Sequence, residues 1–284
     1  MTAPSPARTR RFALPRLPVL DVLVVLLVAT LLALAIFAPF FAPESVYRSN
    51  IINSLLPPSA EHWLGTDAQG RDVLWRVLIG TRATLLSAAI AVSVYSVIGV
   101  TIATIATAGP RWLDGLLMRI TDIFLSLPGM VVALGFAAAL GPSLNSAIVA
   151  IGLTGWPITV RVLRGVMRET MEAPFVAGAQ VLGVSRWRLM TSHVLPNSLD
   201  VLIVKWAGDI SHTVLILAGL SFIGVGAQPP SAEWGAMIAD SRSFISSAWW
   251  TAVTPGIAIV ITSVAFGLLG DMLQARRDPT LHGS

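Results

Sequence analysis

Apolar runs separated by short polar stretches set the pattern of this chain. Residues 22–42 carry no charge, and a helix of that length, rising 1.5 Å per residue, crosses a hydrocarbon layer about 30 Å thick. A cleaved signal peptide begins similarly, but its apolar core is about 7–15 residues and ends in small residues; Phe37, Phe40 and Phe41 stand there instead. Residues 43–82 are polar, with turn chemistry at Gly65, Asp67, Gly70 and Asp72, after which Val73, Val77 and Leu78 predict a short amphipathic helix. Residues 83–110 form a second uncharged run, relieved by hydroxyls such as Ser93, Thr101 and Thr104 that can bond within a helix or to a neighbour.

Residues 123–160 are uncharged over 38 positions, too long for one crossing, and Gly141, Pro142 and Asn145 interrupt them. Two helices are therefore expected, about 121–140 and 144–163, joined by a tight turn. A fifth span starts near Leu199 and stops before Gln228-Pro229-Pro230; a loop with Trp234, Trp249 and Trp250 precedes a sixth span, about 252–270. The pattern predicts an all-α polytopic membrane protein with six transmembrane helices. Its parts are a tail 1–18, a first helix within 19–42, a loop 43–82, a core 83–275 holding five helices and a polar loop 164–198, and a tail 276–284.

Composition agrees with this pattern. The chain is 55% hydrophobic and 12% charged, against about 25% charged in soluble domains, which excludes an ordinary soluble fold. The absence of cysteine excludes disulfides and thiolate metal sites. A basic balance suits nucleic acid or a membrane surface; here the charges flank apolar runs, so the membrane suffices and no nucleic-acid partner is expected. With the N-terminus inside, segments 1–18, 111–119, 161–205 and 276–284 hold fourteen of the nineteen Lys and Arg. This positive-inside bias places residues 172–197 in the cytosol and Trp249 and Trp250 at the outer interface.

Residues 172–197 are the one long polar interruption with structure of its own. Pro174 suits a first helical turn and Gly183 a stop. Between them Phe175, Ala179 and Leu182 fall at i, i+4 and i+7, while Ala177 and Gly178 allow close approach. Ser185 can cap a second short helix with Trp187, Met190 and Val194, which Pro196 is expected to end. The product is a helix-turn-helix hairpin at the membrane face, with Arg186 and Arg188 facing phospholipid or an acidic partner. Such a hairpin serves either as a docking surface or as an interfacial connector.

Elsewhere Asp209 has Lys205 at i−4 and His212 at i+3 near the start of the fifth span, either a functional intramembrane group or an ion pair close to the interface. Trp156 and Pro157 line a path or pack at a kink. Asp67, Arg71 and Asp72 contact a partner or cap their own turn. No paired carboxylates, histidine cluster or nucleophile constellation is present, and no G-x-x-x-x-G-K-[ST] phosphate loop occurs. Catalysis, cofactor and metal binding are therefore not expected in this chain.

The run Ala177-Gly178-Ala179, three residues, Gly183, nine residues, then His193-Val194-Leu195-Pro196 resembles the cytoplasmic EAA-x3-G-x9-I-x-L-P signature of binding-protein-dependent ABC importer permeases. Ala177 stands for its Glu and His193 for its Ile. His62-Trp63-Leu64-Gly65-Thr66-Asp67 with Gly70-Arg71-Asp72, Gly80 and Arg82 is similar to the dipeptide, oligopeptide and nickel group of that family. So are residues 219–226, Gln228-Pro229-Pro230, Trp234-Gly235, Gly270-Asp271 and Asp278-Pro279; Gly267 and Gln274-Ala275 depart from it.

The resemblance implies a type I ABC importer permease fold in a bacterial plasma membrane, with both termini cytoplasmic. It implies a similar second permease, two cytosolic ATPases carrying ATP and Mg, and an extracytoplasmic solute-binding protein delivering a peptide or comparable solute. The hairpin would then couple to an ATPase through Phe175, Ala177, Gly178, Ala179, Leu182, Gly183, Ser185, Arg186, Leu195 and Pro196, and Trp156, Asp209 and His212 would belong to the translocation path. A self-sufficient channel or ion-coupled carrier is the competing class; it often shows inverted repeats and mid-membrane charge, and neither a clear repeat nor a mid-span carboxylate is visible.

Overall fold

The computed structural model describes residues 19–276. The tail 1–18, with Arg8, Arg10, Arg11 and Arg16, and residues 277–284, including Arg277 and Asp278-Pro279, lie outside the described residues. The elements are α1 Val19–Phe41, α2 Val73–Ala108, α3 Arg111–Ser126, α4 Gly129–Leu140, α5 Leu144–Thr154, α6 Trp156–Met171, α7 Pro174–Val181, α8 Arg186–Leu189, α9 Leu195–Ile223, α10 Trp234–Asp240 and α11 Trp250–Ala275. Five helical runs are long and apolar enough to cross a membrane, and α3 with α4 form a bent pair that passes the same test together.

The fourth span, expected over 144–163, is α5 and α6, which part at Gly155 and run on to Met171; three other expected boundaries move, each for a local reason. The short helix expected at Val73 is the beginning of a 36-residue α2 that runs through Arg82 without a break, capped by Asp72, whose carboxylate accepts from the Trp75 N–H. Arg82 does not end it because a long side chain at one end of a span can reach polar surroundings.

The third span is not one helix over 121–140. Leu127 lies extended (φ −97°, ψ 142°) ahead of Pro128, the backbone that a following proline ring enforces, and α3 meets α4 there at 89°. Pro128 was the overlooked break.

The third change is at Pro196. A five-residue π-helical stretch, Met190–Val194, joins α8 to α9, and the Leu195 N–H reaches back to the Met190 carbonyl. In an α-helix the Pro196 ring would meet the carbonyl of Ser192. The wider π turn accommodates that conflict, so the helix continues and residues 186–223 form one 38-residue run.

The core gathers where α2, α5, α6, α9 and α11 cross. Close approach is set by small residues: a Cβ on Gly99 of α2 would lie 2.7 Å from Thr159 of α6, so only glycine admits this contact. By contrast α1 shows Leu20, Leu23, Leu26, Phe37 and Phe40 outward and buries little. That suits a helix packed against α2 and α11 with lipid on its other side.

At the end of the bundle away from the hairpin, the polar segment before α2 folds on itself. Asp67 accepts from the N–H groups of Gln69 and Arg71 at 2.9 Å each and pairs with Arg71 Nε at 2.7 Å. Asp72, besides capping α2, lies 2.9 Å from His62 Nδ1. Arg71 is buried. These residues thus cap and fasten their own turn.

Trp249 is exposed as expected, whereas Trp250 is buried and donates from Nε1 to the Thr66 carbonyl at 3.2 Å. Trp250 therefore fastens α11 to the loop instead of lying in the interface, its N–H having found a protein acceptor.

Candidate functional site

Two places bring the sequence-marked residues together: the hairpin at one end of the bundle and a cavity inside it. The hairpin is built from local rules. Pro174 occupies the first turn of α7 after an extended Ala173, where a missing N–H costs nothing. At the other end Gly183 has φ +80°; its N–H bonds to Gln180 at 2.9 Å and the Val184 N–H bonds to Ala179 at 3.1 Å. This paired 5→2 and 6→1 pattern is a Schellman stop, which needs a left-handed residue. Ser185 then starts α8, its side chain accepting from the Arg188 N–H.

The hairpin's two limbs differ from the expected pair of short helices. Its second limb is the foot of α9, by way of the π stretch, and its first follows α6 after a turn at Glu172 and Ala173. Leu189, Met190 and Val194 are fully buried and fix this foot to the bundle. On α7 the fully buried residue is Val176, which the sequence pattern did not single out.

Of the Phe175, Ala179, Leu182 stripe, Leu182 is 84% and Phe175 52% exposed, with Val181 at 88% beside them, while Ala179 is half-buried. Ala177 and Gly178 are exposed as well. His193, where the signature carries Ile, meets the Phe175 ring edge-on at 6.4 Å and so links the limbs. Leu195 is partly buried and Pro196 exposed.

Three polar ties hold this end. Arg186 donates to the Thr107 carbonyl at 3.2 Å, in the last turn of α2, where the helix dipole favours a cation. Arg186 thus finds its acceptor inside the chain. Asp114 of α3 accepts from Nε and Nη2 of Arg164 on α6, at 2.6 and 2.7 Å, and also pairs with Arg168. Asp122 pairs with Arg161 between the same helices. None of these pairs was anticipated; the available signal was the spacing of Arg161, Arg164 and Arg168 along one helix face.

The second place is a cavity of about 240 Å³ lined by residues of α2, α3, α4, α5, α6 and α9, among them Tyr95, Phe124, Lys205, Asp209, His212 and Thr213. Lys205, Asp209 and His212 stand at i, i+4 and i+7, one face of α9. α9 continues through Pro196, so Asp209 is the middle residue of the helix Leu195–Ile223, one end of which is the foot of the hairpin.

Lys205 and Asp209 form an ion pair with side chains 14% and 20% exposed, and the Lys205 ammonium lies 5.6 Å from the Tyr95 ring centroid. The Tyr95 hydroxyl faces Asp209 and Thr213. Trp156 is buried behind the wall, its ring 5.2 Å from that of Phe124. Thus the structure groups Asp209 with His212 and sets Trp156 one layer back. Tyr95 was missed, although it is one of only two tyrosines in the sequence and lies within an uncharged span.

Comparisons with known proteins are consistent across the chain. A family model described as the binding-protein-dependent transport system inner membrane component matches residues 95–283. The probable D,D-dipeptide transport system permease protein DdpC of Escherichia coli K12 is 40% identical over 257 residues, covering 90% of this chain and 86% of that protein. The dipeptide transport system permease protein DppC of Alkalihalophilus pseudofirmus is 39% identical, with 90% and 84% coverage. The glutathione transport system permease protein GsiD of Pectobacterium atrosepticum is 35% identical, with 90% and 85%. In fold, the chain resembles a subunit of the inward-facing MetNI methionine ABC transporter, with TM-score 0.60, 18% identity, and 72% of this chain and 97% of that chain covered.

Proposed function

The chain belongs to the binding-protein-dependent transport system inner membrane components, the permease subunits of ABC importers, and from that premise we propose that it forms half of a peptide translocation path driven by ATPases docked on its hairpin. A similar second permease completes the path, two cytosolic ATPases supply ATP and Mg chemistry, and an extracytoplasmic binding protein delivers the solute. On this reading the hairpin and both termini face the cytosol, in keeping with the distribution of Arg and Lys.

One observation carries the docking assignment. An exposed apolar knob of Phe175, Val181 and Leu182 sits on a hairpin whose second limb is the foot of α9. An exposed apolar patch at the tip of a polar loop marks an interaction site, and a partner that grips it can move α9 as a lever. The other assigned residues support that grip: Ala177, Gly178 and Ala179 let a partner surface approach, Gly183 and Ser185 shape the turn, Arg186 ties it to α2, and Leu195 and Pro196 carry it into the span.

ATP-driven closure then biases two arrangements of the spans, around a path to which Asp209 and His212 contribute and which Trp156 backs. The peptide substrate is drawn from relatives whose names specify D,D-dipeptide and dipeptide transport.

The test is reconstitution of the full complex in liposomes with labelled dialanine and trialanine. Uptake that needs ATP and binding protein supports the reading. Uptake by this chain alone, driven by an ion gradient, points to the carrier class instead.

A further inference from the structure

Lys205 is the only lysine of the chain, and it stands at mid-helix, in the cavity, beside the middle residue of α9. Counted from Ile223, a helix rises about 21 Å to Asp209 and about 27 Å to Lys205, so in a hydrocarbon layer about 30 Å thick the pair lies in the half nearer the hairpin. Charges at such depth are costly and face a bundle interior or a water-filled cavity, not lipid. A structural ion pair can satisfy itself, but this one lines open volume and shares it with further polar groups, among them the Tyr95 hydroxyl and the His212 imidazole, the latter without a hydrogen bond or ion pair among the described residues.

We propose that Lys205 and Asp209 form a binding site for the two charged ends of a zwitterionic short peptide, its carboxylate on Lys205 and its ammonium on Asp209. The proposal rests on the peptide-import reading and adds to it the residues that recognise the solute.

Charge compensation selects the solute. The resting cavity holds one cation and one anion, so its net charge from this pair is zero. A solute with only a carboxylate takes Lys205 and leaves Asp209 uncompensated; one with only an amine does the reverse. Stripping one partner from a desolvated pair is strongly unfavourable. A zwitterion replaces both partners at once and leaves none exposed.

The charged groups of Lys205 and Asp209 touch in this structure, so a zwitterion enters by parting them; their backbones stand a rise of about 6 Å apart along the helix, and two extended residues span about 7 Å. The Tyr95 face gives the Lys205 ammonium a second partner while Asp209 turns to the solute.

The experiment uses the complete importer in liposomes with its binding protein, and labelled dialanine and trialanine as probes. Lys205→Gln, Asp209→Asn and the neutral double variant are compared with the charge-preserving double variant Lys205→Arg, Asp209→Glu. Co-purification of the ATPases confirms assembly.

On the proposal, uptake by both single variants and by the neutral double variant falls about tenfold or more, the loss of one charge-assisted contact, and the charge-preserving double variant retains most of it. Recovery of the neutral double variant to the wild-type rate overturns the proposal, because a pair that only packs helices is dispensable once both charges are gone. Equal loss in the charge-preserving variant also overturns it. Wild-type complex that imports neither peptide but does import a non-zwitterionic solute sinks the peptide reading itself, an outcome separate from the variants.

Discussion

Arg186 reaches from the hairpin to the carbonyl of Thr107 at 3.2 Å, and so fastens the turn before α8 to the final turn of α2. The contact lies where α2 leaves unpaired carbonyls, and it makes the hairpin a joint between α2 and α9 as well as an extension of α6. Replacing Arg186 with Gln removes the charge-assisted bond, a contribution of about 1.5–3 kcal/mol. The expected result is a complex that still assembles but whose ATP hydrolysis responds less to loaded binding protein. An unchanged response would mean that the contact carries no coupling.

Asp114 engages Arg164 through both oxygens and Arg168 through one, with Asp114 only 12% exposed. Asp114→Asn leaves two guanidinium groups competing for one neutral acceptor. Removing the charge from a partly exposed pair of this kind costs about 1 kcal/mol. The melting temperature of the purified protein in detergent is expected to fall, and Asp114→Glu, which keeps the charge, to restore part of it.

Gly183 needs no small side chain for space, since nothing lies within 4 Å of a Cβ built there; its φ of +80° is what matters. A β-branched residue in that conformation costs about 1–2 kcal/mol, and Asn much less. Gly183→Val is therefore expected to insert normally yet lose ATPase co-purification and transport, with Gly183→Asn between it and wild type. Equal behaviour of the two variants would point away from backbone conformation.

Glu233 is fully buried and caps α10, accepting from the N–H groups of Gly235 at 3.0 Å and Ala236 at 2.9 Å. Burial holds its carboxyl above the ordinary range despite those bonds. A carboxyl whose folded value exceeds its unfolded one favours the folded state when protonated, so this contribution is present at low pH and is lost as pH rises through the folded value. Glu233→Gln keeps an acceptor and is expected to flatten that part of the melting temperature's pH dependence. Glu233→Ala loses the cap, at a cost of about 1 kcal/mol at any pH.

Helix number and the hairpin stop were legible because they rest on local rules: charge-free length for the spans, and Pro174, Gly183 and Ser185 for the turn. Pro196 and Pro128 show where local rules fall short. Both break an ideal α-helix, yet a π stretch carries one helix past Pro196 while α3 and α4 part by 89° at Pro128; the packing around each decides which. Val176 and the outward stripe were not legible either. A period of 3.6 identifies a face, but whether it meets the bundle or an absent partner depends on how α7 leaves α6. Asp114 and Tyr95 gain their roles from residues 50 and 114 positions away in the sequence, beyond any local pattern.

The claim that the hairpin tip meets an ATPase is tested most directly by crosslinking. The chain has no cysteine, so a Leu182→Cys variant carries a single thiol on the exposed tip, and Trp63→Cys, 72% exposed at the opposite end, is its control. In membranes containing the whole complex, a short thiol-to-amine crosslinker is predicted to join the Leu182→Cys variant to an ATPase subunit and to leave the Trp63→Cys variant free of it. An ATPase adduct from Trp63→Cys and none from Leu182→Cys would contradict the account.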